Sequence, residues 1–327
     1  MQDNSAILND ARWLPSGYDP SARALQLIRL ERERLGEPAF LADAQPATGT
    51  QPVAVPIYAV MAADIAQAPL HFIFHTAFCR STLLVRALEQ KGIAAGLSEP
   101  GVLAKIGNSP EAIAPVVKLF ARPWGEGEAV IVKPTNHSNA LAPALLDAAP
   151  DARALLMTNP LPSFLAAVIR KGMLGRRWGR QLYLELMGYA GMDLGLDGRE
   201  QFSMTDLQAA GLAWFLNQRY LDALARKYGE RVRVLDGDAF GEAPARLLAS
   251  AGSFFGLAID TAKAEQIASG PVFTRDAKTG QNYAEKSARD EAATQSAVVE
   301  EEIAKVGEWV GMIARQAGLD VPLRQTL

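Results

Sequence analysis

The sequence predicts an α/β fold, a three-layer sandwich around a central parallel sheet. Between residues 67 and 260, short apolar runs bounded by turn residues alternate with longer amphipathic runs. Short runs of this kind are typical of strands buried on both faces, and their alternation with helices is typical of βαβ units. The chain has 327 residues, 49% of them hydrophobic, so a large core can form without metals or disulfides.

Residues 1–66 are predicted to be an N-terminal helical extension. In "PSARALQLIRLERERLGEPAFL" the apolar residues recur at helical spacing opposite a charged face. Gly36 and Pro38 follow this run, and both residue types commonly end a helix. "DAQPATGTQPVAVP", residues 43–56, is rich in Pro, Gly and Thr and predicts a loop.

Residues 67–260 are predicted to form the α/β core. Strands are predicted at 70–74, 93–98, 128–134, 152–158 and 231–238. Helices are predicted at 81–91, 110–121, 138–148, 161–172, 205–228 and 243–255. Residues 261–327 are expected to add a basic loop and a C-terminal helix, so that 1–327 is a single domain.

The composition of the chain limits the kinds of partner and compartment that are expected for this protein. The net charge of −3 and the pI of about 5.8 argue against a nucleic-acid binder, which would show a basic stripe. Cys79 is the only cysteine, which excludes a disulfide framework and favours a reducing compartment. Neither a signal peptide nor an apolar run of membrane-spanning length is present, so a cytoplasmic protein without a membrane partner is expected.

Polar residues follow the predicted strands at their carboxyl ends, where ligands bind in parallel sheets. The residues are His75 to Thr82, Ser98 and Glu99, Lys133 to Asn136, Thr158 and Asn159, and Asp236 and Asp238. No Cys or His pair has zinc spacing, so no metal site is predicted. The sequence therefore predicts a site for an organic or anionic ligand at this edge.

"PLHFIFHTAFCRSTLLVRALEQKG" reads as a strand, a tight loop and a helix that begins near Arg80. The amide groups of a helix's first turn attract anions, and an arginine and two hydroxyls there suit a phosphate. The alternative is that Ser81 or Thr82 caps the helix while Arg80 is solvated. The segment has no Gly-x-x-x-x-Gly-Lys pattern.

Taken in order, the segments resemble the sulfotransferase family, whose members have a P-loop NTPase-like fold. "HTAFCRSTLLVRAL" is similar to that family's loop, approximately Gly-x-x-(Arg/Lys)-Ser-Gly-Thr-Thr, in two registers. Without a gap, Arg80 stands at the second glycine and Ser81-Thr82 at the closing pair; with one deletion, Arg80-Ser81 matches the Arg-Ser pair. Further similar segments are "LSEPGVL", "IVKPTNHSNALAPALLDAAPDARALLMTNP" and "VRVLDGDAFGEAPARLLASAGSFFGLAID", so the resemblance covers about residues 70–260.

The resemblance implies a sulfotransferase that uses 3′-phosphoadenylyl sulfate as co-substrate, without a metal. The acceptor would be a hydroxyl or amine of an unknown small molecule. Arg80 and Lys133 would supply positive charge, and Glu99 would be the base. The residues implied in nucleotide binding are His75, Thr76, Ala77, Phe78, Cys79, Arg80, Ser81, Thr82, Arg275, Lys278 and Lys286.

The sequence departs from the family pattern and leaves alternatives open. Thr158 and Ala166 stand where the family has the arginine and serine that bind the 3′-phosphate, and both loop glycines are absent. The alternatives are a P-loop kinase-like phosphotransferase, for which Asp236 would bind magnesium, and a degenerate binding protein without turnover. Glu99 could instead be a turn cap, and the segment with Arg275 a linker. The terminal helices could form a homodimer contact.

Overall fold

The computed structural model describes residues 5–37, 39–274 and 296–327. Eight strands are present in these ranges: Trp13–Asp19 (β1), Ala24–Arg29 (β2), Val53–Pro56 (β3), Leu70–His75 (β4), Ala94–Ser98 (β5), Ala129–Lys133 (β6), Ala154–Thr158 (β7) and Val232–Asp236 (β8). The last five form a parallel sheet in the order β5-β6-β4-β7-β8, flanked by helices. The predicted α/β class is therefore confirmed.

The first seven described helices are short, and the eighth is longer. They are Ser5–Asn9 (α1), Ile57–Ala62 (α2), Ser81–Leu88 (α3), Val102–Lys105 (α4), Ile113–Phe120 (α5), Ala142–Ala148 (α6), Leu161–Arg170 (α7) and the longer Gly172–Tyr189 (α8). The others are Gly198–Ser203 (α9), Asp206–Tyr228 (α10), Gly237–Glu242 (α11), Pro244–Phe255 (α12), Thr261–Ala268 (α13), Pro271–Thr274 (α14) and Ala297–Gln316 (α15). Each predicted core helix corresponds to one of these.

The described residues fall into two compact units. The first unit contains residues 5–37, 39–74, 81–155 and 243–274. The second contains residues 75–80, 156–242 and 296–327. The prediction of one domain over 1–327 stays a prediction.

The N-terminal extension is not helical as predicted, because its centre is an antiparallel sheet in the order β1-β2-β3. The segment predicted as a helix forms β2 and a 3-10 turn at Arg32–Arg34. Asp19 accepts hydrogen bonds from the amides of Ser21 and Ala22, which closes the turn between β1 and β2. The apolar residues of β2 are buried on both faces, and a short run of that kind does not distinguish a strand from a helix.

Arg122 joins this extension to the rest of the first unit. Arg122 is 1% exposed, and its guanidinium donates to the carbonyls of Ile7, Leu8, Asp10 and Trp13, as well as to that of Leu119 in α5. Burial lowers the pKa of Arg122 to about 10, opposed by the nearby charge of Asp10. The carbonyl dipoles therefore solvate this cation, and the guanidinium in turn donates hydrogen bonds to carbonyls within and after α1.

The parallel register in the first unit aligns the carboxyl ends of three strands. In β5 and β6, Ser98 lies beside Lys133, and in β4 and β6, Phe72 lies beside Val132. All residues of these strands are buried, as the continuous apolar runs predict. Helix α3 packs on β5 and β6, directly after the loop that leaves β4.

The second unit is built on α10, which packs against α7, α8, α15 and β8. Thr205 begins α10 with a capping box, in which its hydroxyl and the Gln208 side chain each accept a backbone amide hydrogen. The stretch 172–199 is rich in glycine and arginine and contains the 18-residue helix α8. Residues 323–327 run beside the edge strand β8, where the amide of Thr326 donates to Val234 and the Thr326 hydroxyl accepts from it.

No helix in the described ranges is long and apolar enough to cross a membrane.

Candidate functional site

The 75–80 loop has an unusual backbone. Ala77, Phe78 and Arg80 have φ values of 71°, 56° and 62°, in the left-handed region that favours glycine. Each costs about 1–2 kcal/mol relative to an ordinary conformation. In the described part of the chain, only Arg23 and Glu99 among other non-glycine residues share this conformation. Four of the five strained positions therefore fall on residues predicted to form the site.

His75 and Thr76 support the loop from within. The amide of Ala77 donates to Nδ1 of His75 at 3.2 Å, so this buried nitrogen carries no proton. The hydroxyl of Thr76 donates to Oδ1 of Asn159 at 3.3 Å, and the amide of Thr76 donates to the carbonyl of Met157. The indole of Trp214 donates to the carbonyl of Asn159 at 2.8 Å. These bonds fix the loop's start to the end of β7.

Phe78 and Cys79 are held by packing. Phe78 contacts Phe164 and Trp178, with ring centroids 5.9 and 5.0 Å away. Cys79 is fully buried as a free thiol. A Cβ placed on Gly237 would lie 2.3 Å from the Cys79 carbonyl oxygen, so only glycine permits this approach. The loop is thus anchored by neighbours where a glycine-rich loop would need no anchor.

Arg80 has a carboxylate partner. Its Nη1 donates to the carbonyl of Gly237 at 2.9 Å and to Oδ1 of Asp238 at 2.5 Å. The other oxygen of Asp238 accepts a hydrogen bond from the hydroxyl of Ser163. The side chains of Arg80 and Asp238 are 31% and 30% exposed. A Cβ on Gly241 would meet the Arg80 guanidinium at 2.9 Å, so a second glycine leaves room for this side chain.

Asp236, the candidate magnesium ligand of the kinase-like alternative, is a helix cap. Its Oδ1 accepts hydrogen bonds from the amides of Asp238 and Ala239 at 2.8 and 2.9 Å, at the start of α11. Across the described residues, no group of three or more His, Cys, Asp or Glu side chains is placed to hold a metal ion. The kinase-like alternative therefore gains no support from this residue.

Ser81 and Thr82 begin α3, immediately after the loop. Both side chains are buried, at 5% and 4% exposure. They lie in the first turn, as the sequence predicts.

Glu99 and Lys133 lie together in the first unit. Nζ of Lys133 donates to Oε1 of Glu99 at 2.5 Å. The Lys133 side chain is fully buried, and that of Glu99 is 17% exposed. The ammonium also lies 5.7 Å from the ring centre of Phe40. The two residues at the ends of β5 and β6 thus form a largely dry ion pair.

The backbone of Glu99 is held as firmly as its side chain. Glu99 has a φ of 52°. Its amide donates to the carbonyl of Lys133 at 2.7 Å, and its carbonyl accepts from the amide of Ala42 at 3.0 Å. This position forms no helix cap through its carboxylate, which is directed to Lys133 instead.

Two arginines of α8 have acidic partners. Arg180 donates to Asp206 and to the carbonyl of Met204, and Arg176 lies 3.7 Å from Glu302. The hydroxyl of Thr158 is buried without a hydrogen-bond partner. Arg275, Lys278 and Lys286 lie outside the described residues, so their predicted role in covering the nucleotide stays a prediction.

Three contacts were not predicted from the sequence. Ser163 and Phe40 touch predicted site residues but carry no motif of their own. Asp238 was recognised only as a polar residue at the end of β8. The two glycines around it, at 237 and 241, were the available signal, because paired glycines indicate a close backbone approach.

Comparisons with known proteins give structural neighbours only. No family model and no curated protein matches the chain. The sulfotransferase domain from the curacin biosynthetic pathway is similar at 12% identity and a TM-score of 0.41, over 79% of this chain and 100% of that one. A sulfotransferase from Alicyclobacillus acidocaldarius is similar at 17% identity and a TM-score of 0.38, over 78% and 98%. Both of these neighbours are named as sulfotransferases.

Proposed function

We propose that the protein is a sulfotransferase-like enzyme that moves a sulfuryl group from 3′-phosphoadenylyl sulfate to a hydroxyl or amine of a small acceptor. The observation that carries the proposal is the left-handed backbone at Ala77, Phe78 and Arg80. A left-handed residue in a turn, or next to a right-handed one, can direct successive backbone amides to one side and make an anion-binding concavity. Strain retained at three positions of one loop is typical of a functional loop.

The φ of Arg80 favours one of the two family registers. Arg80 takes the conformation that the second family glycine would take, which supports the register without a gap. Ser81 and Thr82 then stand at the closing pair, in the first turn of α3. In this register the backbone amides that follow Ala77 and the two hydroxyls, rather than the Arg80 side chain, bind the 5′-phosphate of the donor.

The chemistry assigned to Glu99 and Lys133 is an in-line displacement at sulfur. The acceptor oxygen or nitrogen forms a bond to sulfur while the bond from sulfur to the phosphate oxygen breaks. Glu99 takes the acceptor's proton, and adenosine 3′,5′-bisphosphate leaves. Lys133 supplies positive charge to the transferring oxygens, which is the largest stabilisation in transfers of this type.

Ligand-dependent thermal stability tests this function. Adenosine 3′,5′-bisphosphate should raise the melting temperature without magnesium, because a ligand bound only by the folded state stabilises it. ATP and GTP with magnesium are the comparison ligands. A magnesium-dependent shift with either would favour the kinase-like alternative, and no shift with any nucleotide would contradict nucleotide binding.

Turnover separates an enzyme from a binding protein of the same fold. With a sulfated donor and a panel of phenols, alcohols and amines, transfer should be lost in Lys133→Ala and Glu99→Ala. The matched control is Lys305→Ala, which removes an exposed lysine that pairs with Glu301 at 2.5 Å. Bisphosphate binding without any transfer would support the degenerate binding protein instead.

A further inference from the structure

The loop lacks glycine yet keeps glycine-type φ values, so other interactions must hold it. Phe78, Cys79 and Arg80 are three consecutive side chains, and each has an anchor in the second unit. The anchor of Phe78 is apolar, and that of Cys79 is a close backbone approach. Only the anchor of Arg80 is an ion pair.

Asp238 is the centre of that ion pair. Its two oxygens are divided between Arg80 and Ser163, so its carboxylate is held from both sides. Asp238 lies in the first turn of α11, and its amide is bound by Asp236. Gly237 and Gly241 lie on either side of it and make room for Cys79 and Arg80. This short helix is therefore shaped around the end of the loop.

We propose that Asp238 is a positioning residue for the loop. By holding Arg80 as a tether, it fixes the left-handed backbone and aims the loop's amides before a ligand arrives. Ser163 supports it by binding the second carboxylate oxygen. The identity of the ligand rests on the proposed function, whereas the role of Asp238 in holding Arg80 does not.

A direct role of Arg80 in phosphate binding predicts the opposite change in anion affinity. If Arg80 were the direct ligand of the donor's phosphate, Asp238 would compete with that phosphate for the guanidinium. Removing Asp238 would then tighten anion binding. If Asp238 positions the loop, its removal weakens binding, because the loop must be ordered at the moment of association.

Isothermal titration calorimetry with adenosine 3′,5′-bisphosphate and with inorganic pyrophosphate shows whether removal of Asp238 tightens or weakens anion binding. We expect affinity to fall about two- to fivefold in Asp238→Ala and by less in Asp238→Asn, whose amide oxygen still accepts from Arg80. In turnover, KM for the donor should rise while kcat changes little. Asp222→Ala is the matched control, because it removes an ion pair with Arg226 in the same unit. Tighter or unchanged binding in Asp238→Ala would overturn the proposal.

Hydrogen exchange tests the tether without any ligand. Amides of residues 76–82 should exchange faster in Asp238→Ala and in Ser163→Ala than in the wild type or in Asp222→Ala. If the wild type binds no anion, the proposed function fails while this measurement still decides the tether. Unchanged exchange in both variants would overturn it. If Asp238→Ala does not fold, the exchange rates of Asp238→Asn and Ser163→Ala are compared with those of the wild type instead.

Discussion

Two cation–carboxylate pairs of the same length lie in very different surroundings. In each, the nitrogen and oxygen are 2.5 Å apart. The Lys133 side chain is fully buried and Glu99 is 17% exposed, whereas Arg80 and Asp238 are each close to a third exposed. A low dielectric strengthens attraction between charges and also raises the cost of leaving either charge alone.

This difference in burial indicates that the two ion pairs have different roles. The pair of Lys133 and Glu99 holds charges where water is scarce, which suits groups that stabilise a transfer or move a proton. The pair of Arg80 and Asp238 contributes little free energy by itself, because water and salt screen it. Its consequence is geometric, since it fixes the direction of a loop. Each of the following predictions tests one side of this contrast.

The largest effect is expected from splitting the buried pair. Lys133→Met should lower the free energy of unfolding by about 3–5 kcal/mol, because Glu99 is left with an uncompensated charge. The double variant Lys133→Met with Glu99→Gln should recover most of that loss. Urea denaturation measures both. Lys305→Met is the exposed control and should cause no measurable change. A double variant as unstable as the single one would contradict the interpretation.

The next largest effect concerns a buried group that folding keeps neutral. Burial, helped by the charge of Arg153, lowers the pKa of His71 from 6.5 to about 4. Between pH 4 and pH 6.5, His71 binds a proton in the unfolded chain but not in the folded chain. The stabilisation is therefore complete above pH 6.5 and is lost as the pH falls towards 4, by about 3 kcal/mol at most.

Urea denaturation at pH 7 and pH 5 measures this effect in the wild type and in His71→Asn. Asn keeps an acceptor for the amide of Arg153, which donates to Nδ1 of His71 at 3.3 Å. The wild type should lose about 2 kcal/mol more than the variant between the two values. Equal losses would show that His71 does not titrate in this range.

A smaller effect tests the strained backbone of the loop. Arg80→Gly and Arg80→Ala both remove the ion pair, but only glycine fits a φ of 62° without strain. Arg80→Gly should be more stable than Arg80→Ala by about 1 kcal/mol. Arg86, inside α3, is the matched control, where the glycine variant should be the less stable by about 1 kcal/mol. The same order of stability at both positions would contradict a left-handed Arg80.

The smallest effect is the salt dependence of the exposed pair. A double-mutant cycle on Arg80 and Asp238 should give a coupling of roughly 0.5–1 kcal/mol in dilute buffer. This coupling should decrease in molar salt, whereas the coupling between Lys133 and Glu99 should change little. Equal salt sensitivity in the two cycles would remove the contrast between the pairs.

The sequence predicted the parallel sheet well, because its strands are continuous apolar runs with a turn signal at each end. It placed Glu99 and Lys133 at two strand ends, but only the register of β5 and β6 brings Ser98 and Lys133 side by side. Arg80 was expected to bind an anion, and its pairing with Asp238 joins residues 158 positions apart. Contacts between residues so far apart in the chain produce no periodic pattern in the sequence.

The extension was predicted wrongly for a related reason. In β2 the burial pattern comes from a sheet whose partner β3 lies beyond a long loop. Apolar residues on both faces of a short strand produce spacings that a helix also produces. The turn residues of "YDPSAR", between β1 and β2, were the local sign of a hairpin.

The clamp formed by Arg122 has a consequence for synthesis of the chain. The carbonyls that it binds belong to residues 7–13, more than a hundred positions earlier. During translation residues 7–13 leave the ribosome long before Arg122 does, and until then the guanidinium cannot donate to these carbonyls. Residues 7–13 therefore complete their contacts with the first unit only after residue 122 has emerged.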